Sequence, residues 1–173
     1  MRLRAHYIFS SGLLSLITVF FIPFLYAVFL AGLISFIGNS FIDYFGHEIK
    51  GKYISRTPRT HTVYRSILWG LLLSLPIGVF LYFVFPSFLF VFSVILDGLL
   101  VGPSHMILDV FTERGIYHKV NGKWRRIAFA HFSYNNTFVN GLAILLGVIM
   151  LFAAMHFIHY YDYHYYHYYN YYS

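Results

Sequence analysis

Apolar and polar positions along this chain fall in long blocks rather than short periods. Behind Arg2 and Arg4 the sequence is apolar from Tyr7 to Ile42, interrupted mainly by Pro23. A spanning helix takes about 20 residues, so this run is too long for one helix and fits two, folded at Pro23. Residues 43–66 are polar and basic. A second apolar run, Ile67 to Phe111, has Pro86 near its middle and reads as another pair of helices. After a second basic stretch, residues 112–137, Phe138 to Ile158 forms a fifth span of ordinary length. The pattern predicts an all-α integral membrane bundle of about five transmembrane helices with two tight hairpins, occupying residues 1–159. A low-complexity tail rich in tyrosine and histidine follows over 160–173. The first leg, Tyr7 to Ile22, is short, which leaves a re-entrant hairpin as the alternative there. A secretory signal does not fit, because the apolar run continues well past Ala27.

Composition agrees with the pattern. Of the residues, 59% are apolar and only 10% charged, against about a quarter charged in soluble domains. The chain has no cysteine, which excludes disulfides and thiolate metal sites. All twelve Lys and Arg residues lie at the N-terminus, in 43–66 or in 112–137. Folds at Pro23 and Pro86 put those three segments on one side, which the positive-inside rule assigns to the cytoplasm. The expected topology is therefore a multi-pass cell (inner) membrane protein with its N-terminus inside and its tail outside.

Chemistry concentrates at Gly102-Pro103-Ser104-His105, continuing to Asp109 and Gly115. Gly102-Pro103 reads as a break followed by a helix start, and Gly115 as the left-handed residue of a helix C-terminus. His105 and Asp109 are four residues apart, so a helix sets them on one face about 6 Å apart along its axis. Asp43 and His47 repeat that spacing at the inner end of the second span. His6 begins the first span on the same side, and His61 precedes the third. Imidazole plus carboxylate without thiolate suits a divalent metal, with Zn²⁺ favoured and Mn²⁺ or Fe²⁺ as alternatives. Six such residues suffice for one or two ions that keep positions open for water. The plainer reading is that polar residues collect at membrane interfaces and that each Asp/His pair is only a local hydrogen-bonded pair. Two pairs of matching spacing with His61 on the same side favour the metal.

At these residues the chain also resembles a known family. Asp43, Arg56-x-x-Arg59-Thr60-His61-Thr62 and Ser104-His105-x-x-x-Asp109-x-x-Thr112-x-x-Gly115, behind His6, are similar to the pattern of YdjM-like (LexA-regulated) inner-membrane metal-dependent hydrolases. The resemblance covers roughly residues 1–145. It implies a multispanning helical protein with a hydrolase-type metal centre and carries His6, Asp43, His61, His105 and Asp109 over as site residues. It supplies no substrate. The chain departs from the pattern where an acidic cluster is usual, having Asn39-Ser40-Phe41-Ile42-Asp43 with one carboxylate, and in its tail.

Other features carry less. Gly102-Pro103-Ser104-His105 lacks the glycine of the Pro-Ser-Gly-His motif of lipid phosphatases. Asp97 lies about 12 Å deeper than His105, where a charge costs at least ~2.5 kcal/mol, so it is expected to be protonated or hydrogen-bonded to a neighbouring helix. The basic loops attract anionic lipid headgroups. Arg56 and Arg59, with Arg125 and Arg126, are also candidates to hold a substrate phosphate by bidentate hydrogen bonding. No nucleic-acid recognition motif or stacking platform accompanies them. The tail histidines, among them His164 and His167, are candidates for loose metal binding, and the tail tyrosines for the headgroup layer.

The sequence therefore predicts a metal-dependent hydrolase acting on a phosphoester or ester of a membrane-associated substrate. The rival is a noncatalytic membrane scaffold, assembly factor or lipid-binding protein in which the same residues pack and pair. The topology has a direct test. In intact cells a cysteine introduced at Lys52 or Lys123 should be shielded from an impermeant thiol reagent and one at Tyr168 labelled; labelling of position 52 from outside would overturn the arrangement.

Overall fold

A computed structural model describes residues 1–51 and 53–172, with the side chains at positions 50, 53 and 158–172 outside the description. Five helices dominate it: α1 (Leu3–Thr18), α2 (Phe24–Gly46), α3 (Val63–Val84), α4 (Phe88–Asp109) and α5 (Thr137–Tyr172). Four of them are long and apolar enough to cross a membrane: α2, α3, α4 and the Thr137–Phe157 part of α5. The first helix, with 16 residues, is about 24 Å long and falls short of that length. The tyrosine- and histidine-rich segment continues the backbone of α5; its side chains, those of His159, His164 and His167 included, lie outside the described ones.

The two folds expected at proline are present. Pro23 is the N-cap of α2, and Pro86 stands between α3 and α4. Pro103, expected to start a helix, lies instead inside α4. Proline removes the hydrogen bond to the carbonyl four residues back, but in a bundle neighbouring helices and hydroxyl side chains keep such a helix continuous. Here α4 is held by its neighbours, with Gly102 against the Ser66 backbone of α3. Gly115 does have left-handed backbone, φ 53°, yet α4 ends six residues earlier. It serves the turn into a strand, where a Cβ would strike the Ile127 carbonyl.

The two basic loops, read from sequence only as polar, fold into antiparallel hairpins. The first is β1 (His47–Lys50) with β2 (Tyr53–Arg56), and the second is β3 (Ile116–Val120) with β4 (Lys123–Ile127). Asn121 and Gly122 join β3 to β4 at φ 49° and 78°. That is the backbone a two-residue hairpin turn demands, and Asn-Gly supplies it at little strain.

The fourth helix packs on α1, α2 and α3. Its apolar window is 56% buried, against 22% for α3 and for α5. Lipid tails are as apolar as leucine, so helices associate here by close packing. Gly98 lies on the Gly70 backbone of α3, where a side chain at either position would enter the other helix. Asp97, beside it, is fully buried, and neither carboxylate oxygen has a hydrogen-bond partner among the described residues. Of the two states expected for it, protonated or hydrogen-bonded to a neighbouring helix, the hydrogen bond is not made among the described residues. Nearer the hairpins, Ser10 and Ser104 meet at 2.6 Å between α1 and α4.

Candidate metal centre

Three chain segments converge at the hairpin end of the bundle. Asp43 lies in the last turn of α2, His105 and Asp109 end α4, and His61 sits in the segment leading from β2 into α3. The last of these must be folded onto α2 to bring its imidazole in. Thr57 N–H donates to Gly46 O at 2.7 Å, and Thr60 Oγ1 donates to Ile42 O at 2.7 Å. Gly46 permits the approach, because a Cβ there would collide with Thr60 Oγ1 and the His61 ring. Thr62 then caps α3, accepting from Arg65 N–H at 3.2 Å.

One ligand atom from each of Asp43, His61, His105 and Asp109 lies within 4.8 Å of all the others. Asp43 Oδ1 is 3.5 Å from both His61 Nε2 and His105 Nε2; Asp109 Oδ2 is 3.6 Å from the former and 3.1 Å from the latter. A tetrahedral site with bonds near 2.0–2.1 Å has edges of about 3.3 Å. The four N···O separations fall on either side of that length.

The protons of the two rings follow from their other nitrogens. Asn39 Nδ2 donates to Ser35 O and Ser35 Oγ, at 2.8 and 3.1 Å, so its Oδ1 is left to accept from His105 Nδ1–H at 2.8 Å. Thr60 spends its hydroxyl proton on Ile42, so its oxygen accepts from His61 Nδ1–H at 3.0 Å. Both rings therefore hold a proton on Nδ1 and aim Nε2 at the carboxylates, the arrangement by which a neighbouring group orients a ligating histidine. Burial brings the His61 pKa down to about 4, so this ring is neutral at physiological pH. The Nε2 lone pair of His61 then faces the carboxylate oxygens of Asp43 and Asp109. Asp43 Oδ1, Asp109 Oδ2 and both Nε2 atoms are buried without a hydrogen-bond partner, which a cation between them would resolve. These four residues could hold a metal ion.

The other expected ligands flank this group. The His6 ring stacks on His105 with centroids 3.8 Å apart, and its Nε2 is 3.2 Å from Asp109 Oδ1. On the opposite side, His47 Nε2 is 3.8 Å from Asp43 Oδ1. Burial lowers the His47 pKa. Arg56 is buried and committed: it donates to Asp109 Oδ1 at 2.6 Å, Thr112 Oγ1 at 2.9 Å and Gly115 O at 3.0 Å. Arg59 is largely exposed and pairs with Glu48 at 3.2 Å. The Met1 amino group also reaches Asp109 Oδ1, at 2.9 Å. The sequence reading missed the orienting roles of Asn39 and Thr60. Thr60 adjoins His61, which was the available signal for its role, whereas Asn39 serves His105, 66 residues away, and had none.

Of the four central residues only Asp43 has an exposed side chain, at 17%. Together with His47 it lines a groove of about 780 Å³ whose remaining wall is mostly apolar, including Leu3, Ile37, Phe41, Ile49 and Ile54. The buried cluster thus reaches its surroundings through an apolar opening.

A family model described as a protein of unknown function (DUF1286) matches residues 1–108, well over half of the chain. The match includes His6, Asp43, His61 and His105 and stops one residue before Asp109. No curated protein and no solved structure matches the chain.

Metal content separates ligand from packing residue. Protein purified without chelator should carry at least one transition metal per chain; His105→Gln should lose it, and Asn39→Ala should weaken affinity about 10–100-fold. Asp97→Asn should retain it, being remote from the cluster. Full occupancy in His105→Gln would show that the Ser-His-x-x-x-Asp segment is a packing motif.

Proposed function

The chain belongs to the DUF1286 family of proteins of unknown function, and for this member we propose a membrane-bound, metal-dependent hydrolase acting on a phosphoester or ester of a membrane-associated substrate. The observation that carries the reading is the set of four convergent, partnerless ligand atoms at Asp43, His61, His105 and Asp109. The similarity of the motifs to those of YdjM-like hydrolases supports it. Bound there, a divalent ion, Zn²⁺ before Mn²⁺ or Fe²⁺, supplies Lewis acidity and a water whose pKa is lowered toward 7.

The chain's own residues supply the remainder. Asp43 bounds both the cluster and the groove, so it is the ligand at which an incoming ester meets the site. His47 lines the same groove and has a buried Nε2 without a hydrogen-bond partner. A neutral imidazole so placed is suited to accept a proton. Arg56, rather than the surface pair formed by Arg59, is placed to compensate charge that develops at the cluster, since its guanidinium already lies on Asp109. The apolar wall of the groove favours an amphiphilic substrate that enters from the bilayer. We also assign the cluster to the cytoplasmic side, because the basic N-terminus and both hairpins surround it.

A noncatalytic scaffold is favoured by the two cations on Asp109 Oδ1, Arg56 at 2.6 Å and the Met1 amino group at 2.9 Å, which neutralise one carboxylate without a metal. They leave Asp43 Oδ1 and both Nε2 atoms without partners.

Purified protein should hydrolyse p-nitrophenyl phosphoesters or carboxylic esters presented in mixed micelles. A chelator should stop turnover and added Zn²⁺ or Mn²⁺ restore it. His47→Gln should lower kcat about 10²-fold with metal content unchanged. Turnover indifferent to chelator would overturn the metal dependence, and no hydrolysis of either ester class by metal-replete protein would favour the scaffold.

A further inference from the structure

A second cavity, of about 250 Å³, lies between the two hairpins and is lined by Ile54, Ser55, Arg56, Arg114, Tyr117 and Arg126. Three arginines therefore line one small space, and no carboxylate residue is among its lining residues. Among the described residues neither Arg114 nor Arg126 has an ion-pair partner; Arg114 lies over the Tyr134 ring, 5.2 Å from its centroid. Arg56 has its counter-charge in Asp109, but Arg114 and Arg126 have none there, and a bound anion would supply it.

The cavity is built rather than incidental. Arg56 is buried, and its position is fixed by Asp109, Thr112 and Gly115, yet its Nε–H has no hydrogen-bond partner. Tyr117 holds the wall from the other hairpin, donating its hydroxyl to Arg56 O at 3.0 Å and its backbone N–H to His61 O at 2.8 Å. Arg126 is directly opposite Tyr117 in the β3–β4 ladder, so the two side chains rise from the same face. A planar, permanently charged guanidinium with several N–H donors suits phosphate oxygens by geometry as well as by charge.

We propose that Arg56, Arg114, Arg126 and Tyr117 form an anion-binding subsite for a phosphate group, carried either by a lipid headgroup or by a soluble phosphate. Because Arg56 also grips Asp109, the subsite stands one guanidinium away from the metal cluster. As part of the substrate site it rests on the hydrolase reading and makes the substrate phosphate-bearing; as an anion site it stands on its own geometry.

The test uses full-length protein in neutral detergent, titrated with inorganic phosphate and with short-chain phosphatidic acid and phosphatidylcholine. Phosphate also binds metals, so the titration is repeated on the His105→Gln variant after chelation. Saturable binding of phosphate or phosphatidic acid is expected in both proteins and should weaken about tenfold or more in Arg114→Gln/Arg126→Gln. Arg59→Gln, outside the cavity, should leave it unchanged. Binding of phosphatidic acid alone identifies a headgroup as the source, and binding of phosphate alone a soluble ligand. No binding, equal binding of phosphatidylcholine, or insensitivity to the double Arg variant overturns the proposal. Protein that binds the anion but contains no metal and hydrolyses nothing would remove the hydrolase reading and leave the subsite standing.

Discussion

Two carboxylates and two imidazoles are held with their lone pairs facing inward at one end of an apolar helical bundle, and the surrounding structure serves that placement. Burial of such groups without partners is costly, about 1–3 kcal/mol for a polar group and more for a charged one. The positions are nevertheless over-determined. Asn39 and Thr60 set the proton of each ring, and Arg56 clamps Asp109 from behind. A cation at the centre would be coordinated by all four groups, and the N···O separations, on the scale of a tetrahedral site, are the physical basis for reading the cluster as one that could hold a metal.

Close helix packing makes the convergence possible. The three segments that supply the four residues approach one another because Gly70 and Gly98 let α3 lie on α4, while Gly46 lets the His61 segment lie on the end of α2. The hairpins then seal the end of the bundle. Tyr117 and Arg56 tie the two hairpins together at the rear of the site, and the groove beside Asp43 and His47 remains open. A buried ligand set with an apolar doorway is consistent with chemistry on amphiphiles.

Much of this was legible in the sequence because membrane burial leaves coarse marks. Long apolar runs divided at Pro23 and Pro86 correspond to the helices, and the four-residue spacing of His105 and Asp109 corresponds to an observed pair at 3.1 Å. Pro103 misled because a rule framed for helices in water predicts a break where neighbouring helices hold a membrane helix continuous. Asn121-Gly122 is a hairpin signal that the sequence reading passed over; β4 is basic and is exposed at four of its five positions, and β3 is half-buried at four of its five, so neither shows the usual alternation. The pairing of Asn39 with His105, 66 residues apart, depends on how α2 meets α4 and leaves no local mark. The same holds for Arg56: its sequence neighbourhood indicates a basic loop, while its commitment to Asp109 is a tertiary fact.

X-ray absorption at the edge of the metal that copurifies with the protein tests the central claim most directly. The account predicts a first shell of nitrogen and oxygen at about 2.0–2.2 Å, free of sulfur, with outer-shell scattering from the imidazole rings of His61 and His105. Folded protein without stoichiometric metal, or a metal shell without imidazole scattering, would contradict it.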